Sequence, residues 1–113
     1  MPHCIIEYSK SLQKSVEPSA FIAVVHQAAI ESGLFDPDDI RSRAIAFDDY
    51  QIRGDKQHFI HVTLRIMHGR NDSQKNQLSS TVMQALESLN LTSIILSVEI
   101  CDIDKTTYAK VTL

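Results

Sequence analysis

The sequence predicts an α+β fold: two consecutive βαβ units forming a four-stranded mixed sheet with two helices on one face. Three observations lead there. Apolar and polar residues alternate over residues 2–8 and, most clearly, over "HFIHVTLRIMHG", which is the two-residue period of a half-buried strand. After Pro18, and again near Asp72, the apolar residues recur at helical spacing instead. The elements then run strand, helix, strand, twice over, so each half reads as a parallel pair joined by a right-handed helical crossover. The 113 residues suffice for one core, and the reading is a single domain with a pseudo-repeat of about 1–50 and 57–105.

The first strand covers residues 2–8, with Cys4, Ile6 and Tyr8 on one face and His3, Ile5 and Glu7 on the other. Proline lacks a backbone N–H, yet it is tolerated at a strand's first residue, so Pro2 fits there. "SKSLQKSVEP" reads as a polar loop. Pro18 suits a helix's first turn, Phe21, Val24, Val25, Ala28 and Ala29 form its buried stripe, and Gly33 ends it. "FDPDD" is a turn, and "IRSRAIAFDDY" a second strand with its apolar centre at residues 44–47. After a turn at "QIRGDKQ", the third strand turns Ile60, Val62, Leu64 and Ile66 inward and His61, Thr63 and Arg65 outward. Asp72 or Ser73 can cap a second helix carrying Leu78, Val82, Ala85, Leu86 and Leu89. "SIILSVEICDI" closes the sheet with Ile94, Leu96, Val98 and Ile100 on one face. Ile5, Met67 and Ile95 fall on the opposite sheet face, where a partner subunit is expected to cover them.

A net charge of -3, with eleven basic residues scattered along the chain, argues against a nucleic-acid surface. No apolar run approaches the roughly 20 residues that span a bilayer, and no basic segment leads into an apolar secretion core; the expectation is a soluble, cytoplasmic protein. Cys4 and Cys101 read as small hydrophobes packed in strands. No metal is expected from the five histidines: His58 and His61 face opposite sides of their strand, and His61 and His68 are too far apart along it. "DPDD" and "DDY" lack the stepped ligands and glycine of a calcium loop and are turns.

Three segments, "PHCIIEYS", "GLFDPDDIRSR" and "HVTLRIMHGR", in this order on this skeleton, resemble the 5-carboxymethyl-2-hydroxymuconate isomerase family of the tautomerase superfamily. The resemblance implies a homotrimer, a cofactor-independent proton transfer on a dienol, and an N-terminal proline exposed by removal of Met1. It implies further that Pro2 is the base and that Arg41 and Arg70 bind and polarise a substrate rich in carboxylates.

The chemistry suits those residue types. A base moving a proton between oxygen and carbon must be largely neutral at working pH. An α-amino group starts at about 7.7 to 8, and burial or neighbouring guanidinium groups lower it. Arginine meets a carboxylate with two parallel hydrogen bonds and keeps its charge. The plainer readings are a strand-start proline, an Arg41 paired with Asp38 or Asp39, and a solvated or interface His3. Arg43 is assigned to a structural ion pair. The competing function is a non-catalytic ferredoxin-like module that binds a small molecule or oligomerises, which needs no free Pro2.

Overall fold

A computed structural model describes residues 1–54 and 57–113. Strand β1 (Pro2–Ser9) leads through a 3₁₀ segment into helix α1 (Pro18–Glu31), and a short 3₁₀ turn, Pro37–Asp39, precedes β2 (Arg41–Phe47). The second half repeats the plan with β3 (His58–Met67), α2 (Asp72–Glu87) and β4 (Ile94–Ile103). The sheet order is β2-β1-β3-β4. The pairs β1–β2 and β3–β4 are parallel, and the central β1–β3 pair is antiparallel. Each βαβ half is thus joined to the other along its first strand, giving the expected mixed sheet.

One core lies between the sheet and the two helices. Cys4, Ile6 and Tyr8 stand opposite Leu64, Val62 and Ile60 across the central pair. With Ile66 they pack on Phe21, Val25, Ala28 and Ala29 of α1 and on Leu78, Val82 and Leu86 of α2. Each large apolar side chain removed from water here contributes about 1.5–3 kcal/mol, which makes the strand alternation decisive for the register. The edge strands bury less. Ile94, Leu96, Val98 and Ile100 of β4 are only partly buried against the core, and Ile45 of β2 is 47% exposed.

Local signals explain the helix ends. Pro18 occupies the first turn of α1, and Gly33 follows its end with φ +72°, a conformation that suits glycine. The cap of α2 differs from expectation: Asn71, not Asp72 or Ser73, accepts from the Gln74 amide at 2.8 Å, while the Gln74 side chain accepts from the Asn71 amide at 3.0 Å. This reciprocal box satisfies two amide donors that the helix leaves free. Asn71→Ala should cost about 1 kcal/mol, read as a lower denaturant midpoint with an unchanged slope.

Three further expectations are corrected. "SKSLQKSVEP" is not merely a polar loop: Lys10–Lys14 form a 3₁₀ segment whose Leu12 is 2% exposed. A single apolar residue has no periodicity to reveal it. Strand β2 ends at Phe47, short of the "DDY" included in the sequence reading. Cys101 is not a core thiol. It is only partly buried, it pairs in register with Arg65, and its Sγ lies 3.7 Å from Glu99. Burial, then the Glu99 charge, push that thiol up. Cys4, by contrast, is buried as expected.

The expected turn at "QIRGDKQ" includes Asp55 and Lys56, which lie outside the described residues. Among the described residues, no helix is long and apolar enough to cross a membrane.

Candidate active site

The strand order brings distant parts of the chain to one end of the sheet. Parallel pairing sets Arg41 beside His3. Antiparallel pairing sets Pro2 opposite Ile66, and Met67 in turn pairs with Ile103. Arg70 follows β3 directly, in a bridge with His68. The amino terminus, the start of β2 and the ends of β3 and β4 therefore meet at the same edge.

Pro2 is fully buried and shares the core-facing parity of Cys4. While Met1 is attached, the Pro2 nitrogen is an amide, without a proton and with its lone pair delocalised. The amino group of Met1 lies 3.5 Å from Asp39 Oδ2. Burial lowers its pKa, Asp39 works against that, and Lys110 and Arg41 add to the lowering.

Arg41 donates from Nη1 to the backbone carbonyl of Asp39 at 2.6 Å. The plainer alternative, a pairing with a carboxylate of "DPDD", is not seen: the Asp39 side chain is occupied by the Met1 amino group and by Lys110 Nζ at 3.3 Å. The hydrogen bond from Lys110, then the amino-terminal charge, hold the Asp39 carboxyl below its usual range. Parity puts Arg41 on the sheet face of His3, opposite to that of Pro2.

Arg70 has a packing role as well as a charge. Its Nη2 donates to the Leu34 carbonyl at 2.6 Å and its Nη1 to the Met67 carbonyl at 3.3 Å, with the guanidinium 5.3 Å above the Phe35 ring. It thereby ties the segment after α1 to the end of β3. The structure brings Arg41 within electrostatic reach of the amino terminus, and sets Arg70 at the same sheet end among these carbonyls.

Arg43 departs from the expected ion pair: its Nη1 meets a ring nitrogen, His3 Nδ1, at 3.1 Å. His3 is not simply solvated, since its Nε2 lies 2.9 Å from Tyr108 Oη. The Tyr108 hydroxyl also donates to Met1 Sδ at 2.8 Å. No local pattern in the sequence marks Tyr108 and Lys110. They sit in the tail after β4, where no period marks a buried side, and the one available signal was a lone aromatic in a polar stretch.

His58 and His61 fall on opposite faces of β3, as strand parity requires. His58 Nδ1 meets Ser11 Oγ at 2.9 Å. His61, one face over, meets Ser97 Oγ at 2.7 Å and Glu99 Oε1 at 2.8 Å. Among the described residues no group of three or more His, Cys, Asp or Glu side chains is arranged to hold a metal ion.

A four-stranded mixed sheet built from two βαβ units, with the amino terminus on a central strand and cationic side chains at the same end, is a tautomerase-like fold. A fused 4-OT wild type symmetric trimer shares this fold at 19% identity and TM-score 0.75, over 92% of this chain and 87% of that one. The chain belongs to the 5-carboxymethyl-2-hydroxymuconate isomerase family, whose model matches residues 2–112; it is thus an isomerase by family. A crystal structure of a 5-carboxymethyl-2-hydroxymuconate delta-isomerase aligns at 21% identity and TM-score 0.85, covering 99% of this chain and 89% of the other. A 5-carboxymethyl-2-hydroxymuconate isomerase from Deinococcus radiodurans R1 aligns at 21% identity and TM-score 0.82, covering 99% and 90%. No curated protein matches the chain.

Proposed function

We propose that this protein ketonises a 2-hydroxymuconate-like dienol of the 5-carboxymethyl-2-hydroxymuconate type, without a cofactor, using Pro2 as the proton-transferring base once Met1 has been removed. The supporting observation is that the chain's start, the start of β2 with Arg41, and Arg70 after β3 lie at one end of the sheet, in a member of an isomerase family. In this reading, removal of Met1 turns the Pro2 nitrogen into a secondary amine at a fully buried position. Desolvation there disfavours the ammonium form and keeps the base available. The amine takes the hydroxyl proton of the dienol and returns it to carbon. The guanidinium groups hold the carboxylates and steady the negative charge that develops on the 2-oxygen.

The assembly we propose is a homotrimer. Its support is the sheet face opposite the helices, where Ile95 is 45% exposed, together with the fused 4-OT symmetric trimer of the same fold. A subunit covering that face would cover Arg41, His3 and Arg43 as well.

Kinetics of Met1-free protein on such a dienol test the assignment of the cations. Arg41→Ala should raise KM on the order of tenfold to a hundredfold, the loss of a charge-assisted hydrogen bond. Arg70→Ala should do the same and also destabilise the fold, because the Leu34 and Met67 carbonyls lose their donor. An Arg41→Ala enzyme with unchanged KM and kcat removes Arg41 from the site.

A further inference from the structure

The contacts of His3 dictate where the proton of Tyr108 points. Arg43 Nη1 approaches His3 Nδ1 at 3.1 Å. A guanidinium has only donors and keeps its protons, so Nδ1 must accept, and the neutral ring carries its hydrogen on Nε2. That Nε2–H faces Tyr108 Oη at 2.9 Å and donates to it. The phenol oxygen has then accepted, and its own proton is directed to a third partner, Met1 Sδ, 2.8 Å away.

The ring stays neutral for physical reasons. Burial lowers the pKa of His3, and the charges of Arg43, Arg41, the amino terminus and Arg65 lower it further. These groups come from β2, β3 and the chain's start, and a protonated ring would turn an N–H against the Arg43 guanidinium. Tyr108 is also fixed from both sides along the tail. Before it, Asp104 Oδ1 accepts from the Thr106 amide at 2.9 Å and from the Thr106 hydroxyl at 2.7 Å. After it, Lys110 is bound to Asp39.

Met1 is the residue whose removal the isomerase reading requires, and a thioether is a weak acceptor. We infer that Tyr108 donates a hydrogen bond to the substrate oxygen beside Pro2, with His3 and Arg43 as the residues that position it. This inference rests on the proposed isomerase function. The hydroxyl now aimed at Met1 Sδ would face the space that Met1 leaves, where a keto or enolate oxygen is a far stronger acceptor. Tyr108 keeps its proton throughout; its role is to stabilise negative charge on that oxygen.

The test uses full-length, Met1-free protein and a 2-hydroxymuconate dienol. Tyr108→Phe should lower kcat on the order of tenfold to a hundredfold while KM moves less than about threefold. His3→Ala should fall to the same level, and the double variant should fall no further, since both changes remove one interaction. His3→Gln, whose side-chain amide can still donate to the phenol oxygen, should recover most of the lost rate, an effect that simple loss of packing would not give. An active wild type matched in kcat by Tyr108→Phe overturns this inference and leaves the isomerase reading standing. A wild type without ketonisation activity overturns both.

Discussion

Protein that retains Met1 should ketonise a dienol about 10²–10⁴-fold more slowly than the same protein with Met1 removed, and Pro2→Ala in the processed protein should lose rate in that range. The reason is covalent. A peptide-bonded Pro2 has no basic lone pair, and the amino groups of Met1 and Lys110 at this sheet end are held by the Asp39 carboxylate, at 3.5 Å and 3.3 Å. In processed protein the rate should rise with pH as the ammonium form gives up its proton. The midpoint should lie below the usual α-amino value of about 7.7 to 8, because burial and nearby cations disfavour the charged form. The same influences already lower the pKa of the Met1 amine, where Arg41 and Lys110 act with burial and Asp39 acts against it. Arg41→Ala should accordingly move the midpoint upward. Mass spectrometry to verify the first residue, with steady-state rates between pH 5 and 9, decides the matter; equal rates in the two forms remove Pro2 from the mechanism.

Phe21→Ala should destabilise the fold by about 3–5 kcal/mol and lower Tm by more than about 10 °C. Phe21 is fully buried, at 0% exposure, and meets the Tyr8 ring edge-on with centroids 5.0 Å apart. Tyr8 is itself fixed by a hydrogen bond from Gln13 Nε2 at 2.6 Å. Truncation would therefore open a cavity between α1 and β1 that neither neighbour can readily fill. Val111→Ala, at a residue 76% exposed, should stay within about 0.5 kcal/mol of the parent and serves as the control. A Phe21→Ala protein melting within a few degrees of wild type would show that α1 does not anchor this core.

Periodicity made most of the fold legible. The alternation of Ile60, Val62, Leu64 and Ile66 and the stripe of Phe21, Val25, Ala28 and Ala29 correspond to the buried faces observed. What stayed hidden has no period. Leu12 is one residue in a 3₁₀ segment, and the choice of Asn71 over Asp72 as cap turns on which side chain reaches the Gln74 amide. Apolar character alone assigns Cys101 to the core, whereas its position in β4 aligns it with Arg65 on the outer face. At the candidate site, the candidate residues came from motifs, but their partners did not. Tyr108 meets His3 across almost the whole chain, and Lys110 reaches Asp39 from the far end, contacts that no local pattern encodes. The real partners of Arg41 and Arg43 are a backbone carbonyl and an imidazole, and neither follows from counting charges.

The placement of β1 at the middle of the sheet has a consequence for biosynthesis. Its antiparallel neighbour begins at His58, and Pro2 is matched by Ile66. At roughly 5–20 residues per second, a ribosome needs on the order of several seconds to deliver that neighbour. Until then β1 lacks the antiparallel partner that covers Pro2, and on the proposed function the Met1–Pro2 bond would have to be cut in that interval. Once the sheet closes, the Met1 side chain is 9% exposed and its amino group is held by Asp39. Trimming would then compete with folding, and a chain that closes too early would be locked in its unprocessed form.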